Sequence, residues 1–366
     1  LGDKNSCLLA FDESITLKHN IRTMKQMRQE RKKQDPLTWE LEFLNSRIKE
    51  NTSAFFTYST MTNNQRLKQV FYPRKDEDVR NNKRNKYAIP KLENEIRIIS
   101  CDIAFVENKD NDNSIFTCMR LIPEVSTYKH ESADIEVKRG YRRSVPYIDK
   151  IQGGDTTKQA LRIRQLYEDF EADYIVLDTR NGGIAILDML SRVMYDESRR
   201  KEYAPLKCMN NENYAKRVNN PSAPAVIYVI NATLQLNSEI AFSFRETLNN
   251  GTIDFLVSPG EAREDILPNI KEYTEETDTD KRFDFEKPFF ETQLLISEAV
   301  SLVYEKMPQT GAIKIYEQGK NRKDRYTSCS YGSYFANLLE KDLLKEEEKV
   351  NYSSAPICVS SVSFDW

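Results

Sequence analysis

Ile96-Arg97-Ile98-Ile99-Ser100-Cys101-Asp102-Ile103-Ala104-Phe105-Val106 is an apolar run with one carboxylate set into it. Its β-branched content predicts a buried strand. No basic side chain stands between Ile98 and Phe105 to pair with Asp102. Burying a lone carboxylate costs several kcal/mol unless something compensates it. A second run, Tyr174-Ile175-Val176-Leu177-Asp178, repeats the pattern and ends in a carboxylate just before Asn181-Gly182-Gly183. Two such acids on strands able to pair point to a shared cation rather than to two unrelated salt bridges. An Asp before Asn-Gly-Gly also fits plain turn-making, and that reading of Asp178 stays open.

Outward from these runs, residues 114–125 read as the hairpin partner of the first strand, with the Asn- and Asp-rich stretch between them as turn material. Residues 141–151 fit a third strand. Asp155-Thr156-Thr157 caps a helix running to Phe170, with Ala160, Ile163, Leu166, Tyr167 and Phe170 on its inner face. After Gly182-Gly183 a second helix turns Ile184, Leu187, Leu190 and Val193 inward. A strand over residues 225–230 follows, then a helix starting near Ser238, a helix over 289–304 and a strand over 313–316. Asp324 opens a last helix over residues 325–339. Three antiparallel-type strands, then helix, strand, helix and strand, predict a mixed α/β sheet with helices on its faces, joined by right-handed crossovers.

The start of the last helix supplies a third carboxylate, Asp324, amid Lys320, Arg322, Lys323 and Arg325. Asp324 also fits an N-cap, and exposed charge runs are often only solvated. Taken with Asp102 and Asp178, it completes an oxygen-donor set suited to a hard divalent ion such as Mg2+. With two ions about 3.5–4 Å apart, one activates a water and the other stabilises the leaving oxygen of a phosphodiester. The four basic neighbours suit backbone phosphates.

The remaining chemistry is mostly excluded by composition. Two histidines, His19 and His130, leave little material for a His-based triad, and six cysteines without a C-x-x-C pair argue against zinc. These cysteines are expected to be free thiols. The 366 residues carry 54 basic and 57 acidic side chains, a net charge of −3, which argues against a tight stand-alone DNA binder but not against an enzyme handed its DNA by partners. No apolar run approaches the roughly 18 residues of a membrane span. Leu1-Gly2-Asp3-Lys4 lacks the basic start and apolar stretch of a secretory signal. The start on Leu1 rather than Met predicts a piece of something longer. Residues 17–34 and 37–50 have helical spacing, parted by Asp35-Pro36. Residues 74–95, mostly charged or Asn, read as a linker.

The IISCDIAFV strand, the DYIVLDTRNGG strand and turn, and the GKNRKDRYTSCSYGSYFANLLE segment together resemble the nuclease domain of the large terminase subunit of tailed bacteriophages, over roughly residues 90–340. The resemblance implies a ribonuclease-H-like fold and an acidic triad holding two Mg2+ or Mn2+ ions. It carries the family's acids onto Asp102, Asp178 and Asp324, with Asp102 bridging the ions and Lys320, Arg322, Lys323 and Arg325 as contacts to the DNA backbone. The implied activity is cutting of concatemeric double-stranded DNA in viral DNA packaging. The implied partners are the portal protein, the small terminase subunit and the ATPase domain of the same full-length chain. The implied location is the cytoplasm of the infected host cell, at the assembling procapsid, with no membrane.

On this reading residues 1–73 are the mainly helical C-terminal remnant of the packaging ATPase domain, 74–95 a linker, 96–342 the nuclease domain and 343–366 a C-terminal tail. No G-x-x-x-x-G-K-[ST] loop is present, so no complete ATP site is expected. The segments at 210–220 and 272–286 have no assigned counterpart. Asp188, Asp284 and Glu124 are further acids without motif support, and Asp188 reads as solvent-facing. Two rivals stay open: a resolvase, integrase or transposase on the same fold, and a non-catalytic scaffold in which the acids are vestigial.

Overall fold

The computed structural model describes residue 23 and residues 54–104, 113–129, 134–152, 154–180, 182–274, 279–307, 311–317 and 322–354. Its strands are β1 (Gln65–Leu67), β2 (Ile96–Asp102), β3 (Asn113–Lys129), β4 (Asp134–Gln152), β5 (Tyr174–Asp178), β6 (Met194–Asp196), β7 (Lys201–Tyr203), β8 (Lys207–Cys208), β9 (Ala225–Ile230), β10 (Ile253–Leu256), β11 (Val303–Lys306) and β12 (Ile313–Tyr316). The principal helices are α1 (Thr156–Asp169), α2 (Gly183–Leu190), α3 (Leu234–Asn249), α4 (Thr279–Ser301) and α5 (Asp324–Ser354). Eight strands make one mixed sheet in the order β1-β10-β4-β3-β2-β5-β9-β8. β2, β3 and β4 pair antiparallel, whereas β5 runs parallel to β2 and β9 parallel to β5. This is a mixed α/β sheet flanked by helices, as expected from the sequence.

Strand alternation divides the core in two. Ile99 and Cys101 of β2, with Ile175 and Leu177 of β5, face one way and pack with Ala160, Ile163 and Leu166 of α1 and Ile186, Leu187 and Leu190 of α2. Ile98 of β2 and Val176 of β5 face the other way, into a cluster built with Ile240 and Phe244 of α3, Leu295 and Ala299 of α4, and Cys329 and Phe335 of α5. A side-chain period of two puts Ser100 and Asp102 on the same face as Ile98, and Asp178 on the same face as Val176. The parallel register pairs Cys101 with Leu177, so the next step along both strands brings Asp102 beside Asp178.

Several boundaries differ from the sequence reading. β2 ends at Asp102, and residues 105 and 106 lie outside the described ones. α3 begins at Leu234, capped by Thr233, because the Thr side chain accepts from Leu236 N–H. Val193, expected inside, is 58% exposed because α2 stops at Leu190, and Ile184, the second residue of α2, faces out. α4 spans Thr279–Ser301 and the chain then turns into β11, so Tyr304 is strand, not helix. α5 runs on to Ser354, into the expected tail, of which residues 355–366 lie outside the described ones. The boundary drawn at residue 73 is not a structural break: Gln65–Leu67 is the edge strand of the main sheet, and Phe55, Phe56 and Met61 are core. The 74–95 stretch contains a short helix, Asp76–Arg80, and buried Val79 and Ile89. The helices expected at 17–34 and 37–50 lie outside the described residues. Cys101, Cys118, Cys208 and Cys329 are buried free thiols, and Cys7 and Cys358 lie outside the described residues. Among the described residues no helix is long and apolar enough to cross a membrane.

One buried charge ties sheet to helices on the α1 side. The Asp149 side chain of β4 is 3% exposed and accepts from Arg162 Nε of α1 at 2.5 Å and from Lys287 Nζ of α4 at 3.2 Å. Burial pushes this carboxyl up, but the two cations outweigh it and hold it at about 2. A folded-state value below the unfolded one means that its stabilisation is present above the unfolded value of 3.8 and is lost as pH falls towards 2. Asp149→Asn is therefore expected to cost about 2 kcal/mol or more at neutral pH. It should also flatten the dependence of urea midpoints on pH between about 4 and 2. An unchanged slope in that window would show that another group dominates acid unfolding.

Candidate active site

A pocket of about 770 Å3 opens where the C-terminal ends of β2 and β5 meet the start of α5, and Asp102, Asp178 and Asp324 all line it. Each acid reaches the pocket for a local reason. Asp102 and Asp178 are the last residues of β2 and β5, on the face that α5 covers. Behind Asp178 the chain turns through Gly182, whose φ of 99° suits glycine. A Cβ on Gly183 would stand 1.7 Å from the Asp178 carbonyl oxygen, so only glycine permits this tight return into α2. Asp324 is the first residue of α5, and Thr327, Ser330 and Tyr331 of the same helix follow it along the wall. They recur at three, six and seven residues, the spacing of one helix face.

α5 is held close to β2. A Cβ on Gly332 would come 2.6 Å from Ser100 Oγ, and Ser328 Oγ donates to the Ser100 carbonyl at 2.9 Å. The start of the helix is seated by α4: the Arg325 N–H donates to Glu298 Oε2 at 2.8 Å and the Tyr326 N–H to the same oxygen at 3.3 Å. For these two N–H groups Glu298 fills the capping role that the sequence also allowed for Asp324.

The electrostatics are lopsided. Burial raises the Asp102 carboxyl well above the ordinary range, and the neighbouring charges of Asp324, Asp178 and Glu298 raise it further, with Lys323 opposing. Burial likewise raises Glu298, against the pull of Arg325. Mutual repulsion of this kind favours a cation between the acids. Among the described residues, however, no three His, Cys, Asp or Glu side chains stand close enough together to hold a metal ion as placed. The donor chemistry fits a hard divalent ion, while the carboxylates would have to draw together to ligate one.

The four basic residues picked from the sequence separate. Lys323 lines the pocket and pairs with Glu317 at 2.8 Å. Arg322 is half-buried and does not line the pocket, and Lys320 lies outside the described residues. Arg325 is a correction: it is 5% exposed, with Nε on Glu291 and Nη1 on Glu298, each at 2.6 Å. Facing into the α4–α5 interface, it has no free edge for DNA. Of the further acids, Asp188 pairs with Arg217 and Glu124 with Arg142, and none of Asp188, Asp284 and Glu124 lines the pocket.

Sequence reasoning overlooked Arg180, Asn237, Lys314 and Tyr331, all in the pocket wall. Arg180 and Tyr331 carried a signal, one lying two residues after Asp178 and the other on the Asp324 face of the helix. Asn237 and Lys314 come from α3 and β12, which only the tertiary fold brings here.

No protein-family model and no curated protein matches the sequence. Among solved structures, the chain is similar to the large terminase nuclease from thermophilic phage G20c with bound magnesium (13% identity, TM-score 0.40, covering 78% of this chain and 98% of that one). It is also similar to the large terminase nuclease domain of Thermus phage P74-26 (13% identity, TM-score 0.34, 76% and 93%). A third likeness is to the HK97 bacteriophage large terminase (10% identity, TM-score 0.35), covering 85% of this chain and 50% of that one.

Arg325→Ala would strand Glu291 and Glu298 without a counter-charge. It is expected to lower unfolding free energy by about 3–5 kcal/mol in urea titration. A loss below about 1 kcal/mol with weakened DNA binding would return Arg325 to the role of an exposed clamp.

Proposed function

We propose that this chain is a divalent-metal-dependent DNA endonuclease, the nuclease part of a viral DNA-packaging terminase. The observation that carries the reading is the delivery of Asp102, Asp178 and Asp324 to one pocket from two adjacent strand ends and a helix start. The strongest charges acting on Asp102 are those of Asp324, Asp178 and Glu298, with Lys323 opposing them. Three carboxylates lining one pocket, one of them buried and raised by its neighbours' charge, are a poor structural motif and a good cation site.

In this reading Asp102, Asp178 and Asp324, which line one pocket, would together hold the Mg2+ or Mn2+ ions. Bound ions supply a nucleophilic water at neutral pH and neutralise charge on the leaving 3′ oxygen. The chain's own residues do the rest. Lys323, Lys314 and Arg180 at the pocket wall attract and orient the phosphodiester. Apolar Ile103, Ile240, Ile313 and Ile315 line the same pocket and limit the water that reaches it. The substrate is concatemeric double-stranded DNA, cut with little sequence preference. The DNA arrives from the ATPase domain of the full-length chain at the portal of an assembling procapsid in the host cytoplasm. The small terminase subunit is a further partner.

Purified protein is expected to nick and linearise plasmid DNA in Mn2+ or Mg2+ and not in EDTA. Asp102→Ala, Asp178→Ala and Asp324→Ala should each reduce cutting by about a hundredfold or more. A folded wild type that cuts nothing in either metal would make the domain a non-catalytic scaffold instead.

A further inference from the structure

Asp178 is already engaged. Its Oδ1 accepts from the Arg180 backbone N–H at 3.0 Å and lies 3.7 Å from Arg180 Nε, while Oδ2 is 3.4 Å from the Tyr331 hydroxyl. The side chain of Asp178 is 13% exposed and that of Arg180 is 43% exposed, so the acid is held in the wall while the guanidinium sits at the mouth. The base of Arg180 is anchored: Thr179 N–H donates to the Ile230 carbonyl and Gly183 N–H to the Arg180 carbonyl. Beyond this anchored base the Arg180 side chain reaches Asp178 and interacts with the Tyr331 hydroxyl.

The other pocket cations are placed differently. Lys323 is committed to Glu317. Lys314, on β12, is exposed and makes no ion pair among the described residues. Arg180 is thus the pocket cation whose partner is itself one of the three acids.

We propose that Arg180 couples phosphate binding to metal binding: it pairs with Asp178 while no DNA is bound, and turns to a backbone phosphodiester when DNA enters, leaving Asp178 to the cation. This rests on the nuclease reading above and assigns a regulatory contact within the same site. A long ion pair at a half-open mouth is weak, whereas a guanidinium meets a phosphodiester in a two-pronged, charge-assisted contact. The incoming phosphate therefore wins the exchange. The coupling is bounded by the worth of the pair it replaces, up to about 1 kcal/mol or about fivefold in affinity. Reciprocity requires that metal strengthen DNA binding by the same factor.

The test is calorimetric titration of Mn2+ into DNA-free protein, with duplex binding measured separately in EDTA by fluorescence anisotropy. Arg180→Ala is expected to bind Mn2+ up to about fivefold more tightly than wild type and to bind duplex DNA more weakly. A merely structural role would weaken both. Lys314→Ala is the control for general charge removal: it should weaken DNA binding and leave the Mn2+ affinity where it was. Arg180→Gln, which keeps a polar side chain but removes the charge, should behave as Arg180→Ala, and equal melting temperatures in EDTA would show that both variants fold. Wild type and Arg180→Ala binding Mn2+ with equal affinity would overturn the inference alone, as would an equal gain in Lys314→Ala. No Mn2+ binding by wild type, with or without duplex, would remove the metal reading and this inference with it.

Discussion

Like charges held side by side in a wall of protein are the constraint around which the rest of this molecule is arranged. Asp102 and Asp178 end adjacent parallel strands on the same face, and both the pairing register and the side-chain alternation force them there. Moving either strand by one residue would turn its acid into the opposite core, among Cys101, Leu177 and the α1 and α2 side chains. The apolar runs before each acid therefore do two jobs. They contribute to both cores, and they leave no freedom over which way the terminal carboxylate faces. The repulsion that results is partly offset by Lys323, acting on Asp102, and by Arg180, beside Asp178. Stability gained by burying Ile98, Ile99, Val176 and Leu177 is what holds the acids in place.

The third acid depends on how closely a helix can lie against that sheet. Gly332 and the short side chains of Ser100 and Ser328 let α5 approach β2 within hydrogen-bonding range of its backbone. Glu298 and Glu291 of α4 set the helix along its axis through Arg325. Replacing such buried ion pairs by apolar residues is often neutral or stabilising, so their value here is best understood as placement. An apolar contact would slide; a carboxylate bonded both to a backbone N–H and to the guanidinium of the same residue does not.

Strands β5 and β9 of the main sheet were readable because their sequences are apolar, β-branched and uninterrupted, and 174–178 and 225–230 have the ends predicted for them, as does 313–316 in its separate two-stranded sheet. β10 was missed although Ile253–Leu256 is wholly buried, because Asp254 interrupts a run only four residues long. β1 was missed because Gln-Arg-Leu has no strand signature and joins the sheet only by pairing with β10. That omission placed a boundary at residue 73 inside one continuous sheet. Asp102, Asp178 and Asp324 were visible as acids in the wrong company, and their meeting in one pocket follows from register and helix placement. The basic cluster misled because adjacency in sequence is not adjacency in space. On a helix, Arg325 faces about 100° away from Asp324, which here is into α4.

That rotation decides where positive charge can come from. The start of a long helix would ordinarily offer its own N–H groups and dipole to a phosphate. In α5 the N–H groups of Arg325 and Tyr326 are taken by Glu298, whose negative charge also cancels much of the dipole. The seat that places Asp324 thus removes the helix terminus as an anion site. Attraction for a phosphodiester is left to side chains at the mouth, Arg180 from the turn after β5, Lys314 from β12 and Lys323 from the approach to α5. Because these come from three separate elements and two of them already face carboxylates, the pocket can be strongly acidic within and still receive an anion at its rim. A net charge of −3 is what such a division of labour allows.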